Sequence, residues 1–190
     1  MSQEFYQDQT FTQIDYTRQV FPKGEYDNCT FVNCKFEEVD MAAMTFLECT
    51  FETCDLTNAK IKITAFNEVE FLNCKLLGVD FGVCNDFMFS VNFDSCNLEL
   101  ASFAALTIKQ TKFRASSLKS VDFTDTNLES AEFDDCDLRD AIFERTNLEK
   151  ADFTSARNYM IDPTQNRLKK ATFSRKEIHG LLAKFEVVVK

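Results

Sequence analysis

The chain has 190 residues, 45% of them hydrophobic, a size that suits one repeat domain with a continuous core and a short appendage. Its net charge of −10 disfavours ordinary binding to nucleic acid or to an anionic membrane, since both are polyanions. The N-terminus lacks a basic stretch followed by an apolar one, and no apolar run is long enough for a bilayer. The sequence therefore predicts a soluble cytoplasmic protein that binds neither nucleic acid nor membrane directly.

Residues 1–20 read as a degenerate opening coil of a repeat. Phe11 and Tyr16 hold apolar slots, but Gln9 stands where later units place a small residue. From Phe31 to Phe81 a large apolar residue falls on every fifth position: Phe31, Phe36, Met41, Phe46, Phe51 and onward. A two-residue slip follows near 82–87, and the rhythm resumes at Met88, Phe93 and Leu98 and runs to Phe153. Phe87, beside the slip, is a candidate contact residue.

A spacing of five fits neither a helix, with its period of about 3.6, nor a simple strand, with its period of about 2. It fits a chain that turns a corner every five residues, burying two side chains and exposing three. Phenylalanine recurs at 11, 31, 51 and 71, then at 93, 113, 133 and 153, so four units close one coil. Stacked coils with parallel-sheet spacing of about 4.8 Å would make a rod of about seven coils, roughly 35 Å long.

The position two residues before each apolar slot takes Cys, Ala or Val. Seven of the eight cysteines stand there, including Cys34, Cys54, Cys74 and Cys96 in one column. Cysteine behaves as a small hydrophobe in such a place. The spacing offers no CxxC pair for zinc or redox chemistry, and the expectation is reduced core cysteines without a metal.

The unit reads Ala131-Glu132-Phe133-Asp134-Asp135, then Cys136-Asp137-Leu138-Arg139-Asp140, then Ala141-Ile142-Phe143-Glu144-Arg145. Over 11–155 this resembles the pentapeptide-repeat family, whose consensus is A(D/N)LXX. The resemblance implies an all-β solenoid, a right-handed quadrilateral β-helix, for residues 1–155.

After Ala156 the repeat is expected to stop, leaving 156–190 as a cap or dimerisation segment. Asp162-Pro163 marks a turn. Ser174 and Glu177 have the spacing of a capping box ahead of a helix. Ile178, Leu181, Leu182 and Phe185 would share one face of that helix and are candidate dimerisation residues. Glu186–Val189 reads as a short strand. Dimerisation through this segment is in part what the resemblance implies. His179, the only histidine, reads as a surface residue.

Charge is segregated along the axis. Between 122 and 152 eleven acids face three bases, and from 156 onward eight bases face three acids. The candidate partner-binding residues are Asp122, Asp125, Glu129, Glu132, Asp134, Asp135, Asp137, Asp140 and Glu144. Qnr-type and microcin-immunity members of the family act on DNA gyrase. The resemblance thus implies a non-enzymatic rod that imitates DNA on gyrase or another type II topoisomerase. The alternative is a generic scaffold for another protein partner. Lys109, Lys112, Arg114 and Lys119 interrupt the acidic surface in mid-rod, and the acids spread over several faces. No catalytic residues, cofactor or metal are read from the sequence.

Overall fold

The computed structural model describes residues 4–187. Thirteen short strands alternate around one axis: β1 Glu4–Gln7, β2 Thr10–Thr12, β3 Gly24–Asp27, β4 Thr30–Val32, β5 Thr45–Leu47, β6 Thr50–Glu52 and β7 Ala65–Asn67 lead. Then come β8 Val69–Leu72, β9 Val91–Asp94, β10 Lys112–Arg114, β11 Glu132–Asp134, β12 Asp152–Phe153 and β13 Thr172–Phe173. A single helical turn, α1, covers His179–Leu182.

Nine strands, β2, β4, β6 and β8 to β13, form one parallel sheet along the whole rod. Its register places Phe11 beside Phe31, Phe31 beside Phe51 and so on to Phe153 beside Phe173. We call this face one. A four-stranded parallel sheet of β1, β3, β5 and β7 forms face four. The other two faces are linked by single parallel bridges, such as Lys35 to Asp55 on face two and Ser102 to Asp122 on face three. The chain is an all-β parallel solenoid of about eight turns.

The core is a set of aromatic ladders. On face one the rings stack one coil apart, with centroids 5.3 Å apart for Phe93 and Phe113 and 5.1 Å for Phe113 and Phe133. Face three carries a second ladder, in which Phe81 lies 4.7 Å from Phe103. The two ladders meet edge to face, as Phe103 and Phe113 do at 5.8 Å and 83°. Edge-to-face and offset contacts both suit the ring quadrupole. Face two is filled by Phe36, Leu56, Leu76, Leu98, Leu118 and Leu138, all buried.

Most corners are turned by a residue of positive φ two places after the buried slot. Ala43, Asn58, Ile63, Ala105, Gln110 and Asp125 all occupy the left-handed region, and Gly78 is the one glycine among them. The corner amide then bonds to the next coil, as Ala105 N–H does to the Thr124 carbonyl at 2.9 Å. Coil-to-coil hydrogen bonding of this kind holds ordinary residues in a conformation that otherwise costs them energy.

Three expectations are revised. First, Met88 does not take a buried slot. The register holds through Ala65 beside Asn85 and resumes at Val69 beside Val91, so the extra residues lie between Asn85 and Val91. Met88 there has φ +57 and points outward, while Phe89 turns in against Phe66 and Phe81, both at 6.2 Å. A residue at positive φ forms the corner, so its neighbour fills the core.

Second, the coils do not stop at Ala156. Arg157 bridges Asp137, Arg167 bridges Asn147, and Phe173 stacks on Phe153 at 5.2 Å. Asn166 stands in a small-residue column and keeps it satisfied through its side chain, which donates to the Phe143 carbonyl at 2.9 Å. This adds a turn to the expected seven.

Third, no capping box forms. The Ser174 hydroxyl accepts from the Lys176 amide, while the Glu177 carboxylate accepts from the Asn158 amide at 3.0 Å. The expected amphipathic helix is a single α-turn continued by a 3-10 turn over Ala183–Phe185, and Gly180 within it is pressed against Tyr159 at the end of the rod. Glu186 has left-handed φ, and Val188 and Val189 of the expected strand lie outside the described residues.

Candidate functional site

The acidic residues of the late coils sit at slots set by the five-residue unit, so their positions follow from the coil geometry. Glu132 and Asp134 flank Phe133 on β11, and Asp152 stands beside Glu132 on β12. All three point out of face one. Asp137 is on face two, Asp122 and Glu144 are on face three, and Glu129 is on face four. Asp125, Asp135 and Asp140 sit at corners with φ of 56°, 50° and 58°. The predicted residues therefore surround the rod instead of lining one surface.

Half of this charge is neutralised from coil to coil. Arg145 makes a two-pronged contact with Asp125, through Nε at 2.7 Å and an η nitrogen at 2.8 Å. Glu129 lies between Lys150 at 2.6 Å and Lys109 at 3.0 Å. Arg157 reaches Asp135 at 3.0 Å, and Lys119 and Arg139 approach Asp137 at 3.7 and 4.0 Å. Arg145 also lies 3.6 Å from Glu144, and Arg167 lies 2.7 Å from Glu149.

At Glu129, Asp125 and Asp137 the contacts move the carboxyl pKa downward. The Lys150 and Lys109 hydrogen bonds hold Glu129 at about 2. The Arg145 hydrogen bond lowers Asp125. At Asp137 burial works to raise the value, but hydrogen bonds from Asn158 and the Arg139 amide, with the nearby cations, outweigh it. Apart from Arg139 beside Asp137 and Arg145 beside Glu144, the partners lie about twenty residues away in sequence, so the repeat period itself was the signal that would have found them.

Among the described residues, Asp122, Glu132, Asp134, Asp140 and Asp152 form no ion pair. Asp134 accepts from the Ser155 hydroxyl at 2.8 Å, and Asp152 from the Thr154 amide at 2.9 Å. Glu132, Asp134 and Asp152, with Arg114, Thr154 and Ser155, line a shallow groove across face one. Burial works to raise the Asp152 pKa, yet its hydrogen bonds from Thr154 and Thr172 leave it lowered.

Phe87 is 74% exposed on the bulge, with Met88, Ile63 and Val83 also exposed. At the C-terminal end the four candidate dimerisation residues do not share a surface. Leu181 packs against the core, Leu182 is half-buried, and Ile178 and Phe185 face solvent. Among the described residues no three His, Cys, Asp or Glu side chains come together as a metal-ligand set. No helix among them is long and apolar enough to cross a membrane.

The family description "Pentapeptide repeat region" matches residues 84–153. No curated protein matches the chain in sequence. Among solved structures, full-length QnrB1, described as a plasmid-mediated fluoroquinolone resistance protein, is 15% identical, with a TM-score of 0.58 over 97% of this chain and 100% of that one. A trypsin-treated variant of QnrB1 is 17% identical, with a TM-score of 0.60 over 98% of this chain and 92% of that one. HetL, a pentapeptide repeat protein involved in heterocyst differentiation regulation in the cyanobacterium Nostoc sp. strain PCC 7120, is 15% identical, with a TM-score of 0.41 over 88% and 86%. At these identities the likeness to QnrB1 establishes the fold.

Proposed function

We propose, on the premise that this chain is a pentapeptide-repeat protein folded as a right-handed β-helix, that it acts by binding another protein along its rod. It works by contact and not by turnover. Its partner on this reading is a basic, DNA-binding surface, that of DNA gyrase or another type II topoisomerase, which it engages by imitating DNA.

The observation that carries this reading is the charge left over after coil-to-coil pairing. Asp122, Glu132, Asp134, Asp140 and Asp152 span about one and a half coils, roughly 7 Å of rod at parallel-sheet spacing. That is about one free carboxylate per 1.5 Å, against one phosphate per about 1.7 Å of duplex axis. Three of the five lie together on the flat sheet of face one. A surface of this density steers a basic partner into encounter and adds specificity to the docked complex. The fluoroquinolone-resistance role of QnrB1 is consistent with the same target.

The test is gyrase supercoiling with increasing amounts of the protein, with and without a fluoroquinolone. Inhibition or protection is expected, and a Glu132→Lys, Asp134→Lys, Asp152→Lys variant should lose it while remaining folded. No effect of the wild-type protein at tens of micromolar would sink the topoisomerase reading.

A second reading is favoured by the bulge. Exposed Ile63, Val83, Phe87 and Met88 present an apolar contact that an electrostatic decoy does not need. On this reading the rod is a scaffold for another partner, and Phe87→Ser would abolish capture while the triple Lys variant would not. We also propose self-association at the C-terminal end, where Met160, Ile178 and Phe185 are each exposed. A Phe185→Asp variant should then sediment as a monomer, and a wild-type monomer at high concentration would refute the dimer.

A further inference from the structure

One column of the core carries a thiol on four consecutive coils: Cys34, Cys54, Cys74 and Cys96, all buried and reduced. Their placement repeats from coil to coil. The peptide N–H of Cys34 donates to Cys54 Sγ, that of Cys54 to Cys74 Sγ, and that of Cys74 to Cys96 Sγ, each at 3.4 Å. In turn Cys54, Cys74 and Cys96 donate to the carbonyls of Phe31, Phe51 and Phe71 at 3.3, 3.2 and 3.3 Å. Sulfurs held so uniformly follow the coil spacing of about 4.8 Å.

That spacing is too long for an S–S bond of about 2.05 Å. It matches a different object. Two metal–thiolate bonds of about 2.3 Å laid end to end span about 4.6 Å. The column therefore has the dimensions of a linear, two-coordinate dithiolate site. Zinc would require four ligands, and beyond the thiols the surrounding core offers only backbone, apolar groups and the Ser116 hydroxyl next to Cys96. Soft thiolates without a third ligand select a soft monovalent ion, Cu(I) among the physiological metals.

We propose that this column binds Cu(I) as linear dithiolate centres, one between Cys34 and Cys54 and one between Cys74 and Cys96. At each centre one Cu(I) replaces the two thiol protons, which leave to solvent; no electron is transferred, and the S–Cu–S unit carries one negative charge. The amides of Cys34 and Cys74 already aim at sulfurs of the two centres and stabilise that charge. Metal reaches the column from the N-terminal end, where half-buried Ile14 occupies the position one coil before Cys34.

The fold supplies a clean variant. Ser116 continues the same column, its hydroxyl accepting from the Cys96 amide at 3.0 Å and donating to the Arg114 carbonyl at 2.7 Å. Serine is thus an accepted occupant. A Cys54→Ser, Cys74→Ser protein should fold normally and leave each centre with one sulfur.

The experiment titrates reduced full-length protein, without oxygen, against Cu(I) held as its bicinchoninate complex, and reads the loss of that colour. Cys29 and Cys49, buried one coil apart in a different column and donating to the Tyr6 and Tyr26 carbonyls, are kept in both proteins, so the four-thiol column is read as a difference. Wild type is expected to withdraw two more Cu(I) per chain than the double variant, with circular dichroism unchanged and two sulfur neighbours in the copper X-ray absorption spectrum. Equal uptake by the two proteins would overturn the proposal. So would no uptake by folded wild type, uptake only with loss of β signal, or a copper site with three or more sulfurs.

Discussion

Ala105→Gly and Ala101→Gly make the same chemical change four residues apart, and the coil geometry assigns them opposite signs. Ala105 forms a corner with φ +61 and is exposed, and its amide bonds to the Thr124 carbonyl at 2.9 Å. An L-residue in the left-handed region costs about 1–2 kcal/mol, which glycine recovers. Glycine gives back about 0.5–1 kcal/mol through the larger entropy of its unfolded state. The net is a stabilisation of about 0.5–1 kcal/mol, or a rise in Tm of about 1–4 °C for a chain of this length. Ala101 is 1% exposed and has no positive φ. Removing its methyl forfeits about 0.8 kcal/mol of burial and adds the same glycine entropy, a loss of about 1.5 kcal/mol. Urea unfolding followed by circular dichroism measures both, provided the m-value is unchanged. If both variants lose stability, or Ala105→Gly is the worse of the two, then corner strain is not stored where φ places it.

The aromatic ladder should be least tolerant at its middle. Phe113→Ala, at a ring stacked between Phe93 and Phe133, is expected to cost about 3–5 kcal/mol, and hydrogen exchange should show the two halves of the rod opening separately. Acid should weaken the late coils through Glu129. Its folded pKa of about 2 lies below its unfolded value near 4.5, so its contribution is present above pH 4.5 and is lost as pH falls towards 2. Glu129→Gln should flatten that limb of the stability–pH curve, and an unchanged limb would refute the assignment. Gly180→Ala would place a Cβ 2.0 Å from the Tyr159 carbonyl oxygen, so α1 should undock. Faster exchange of the Ile161 amide, with the earlier coils unaffected, is the expected signature.

The architecture was legible because a five-residue period admits few solutions, and a twenty-residue ladder of Phe11, Phe31, Phe51 and Phe71 states how many corners close a coil. What defeated the reading were places where another group does the slot's work. Asn166 fills a small-residue position by hydrogen bonding, and Phe89 replaces Met88 because only backbone dihedrals decide which of two neighbours makes the corner. Glu177 found the Asn158 amide, a partner from the rod, in place of the local one the capping pattern offered. The acidic count was visible in the sequence, but its meaning was not. Whether Asp125 and Glu129 are free or neutralised depends on Arg145, Lys109 and Lys150 arriving from adjacent coils. Periodic burial is a local property that each unit repeats, so the sequence alone determined the solenoid. Charge pairing, corner choice and the docking of the C-terminal turn depend on contacts between coils, and only the tertiary structure decided them.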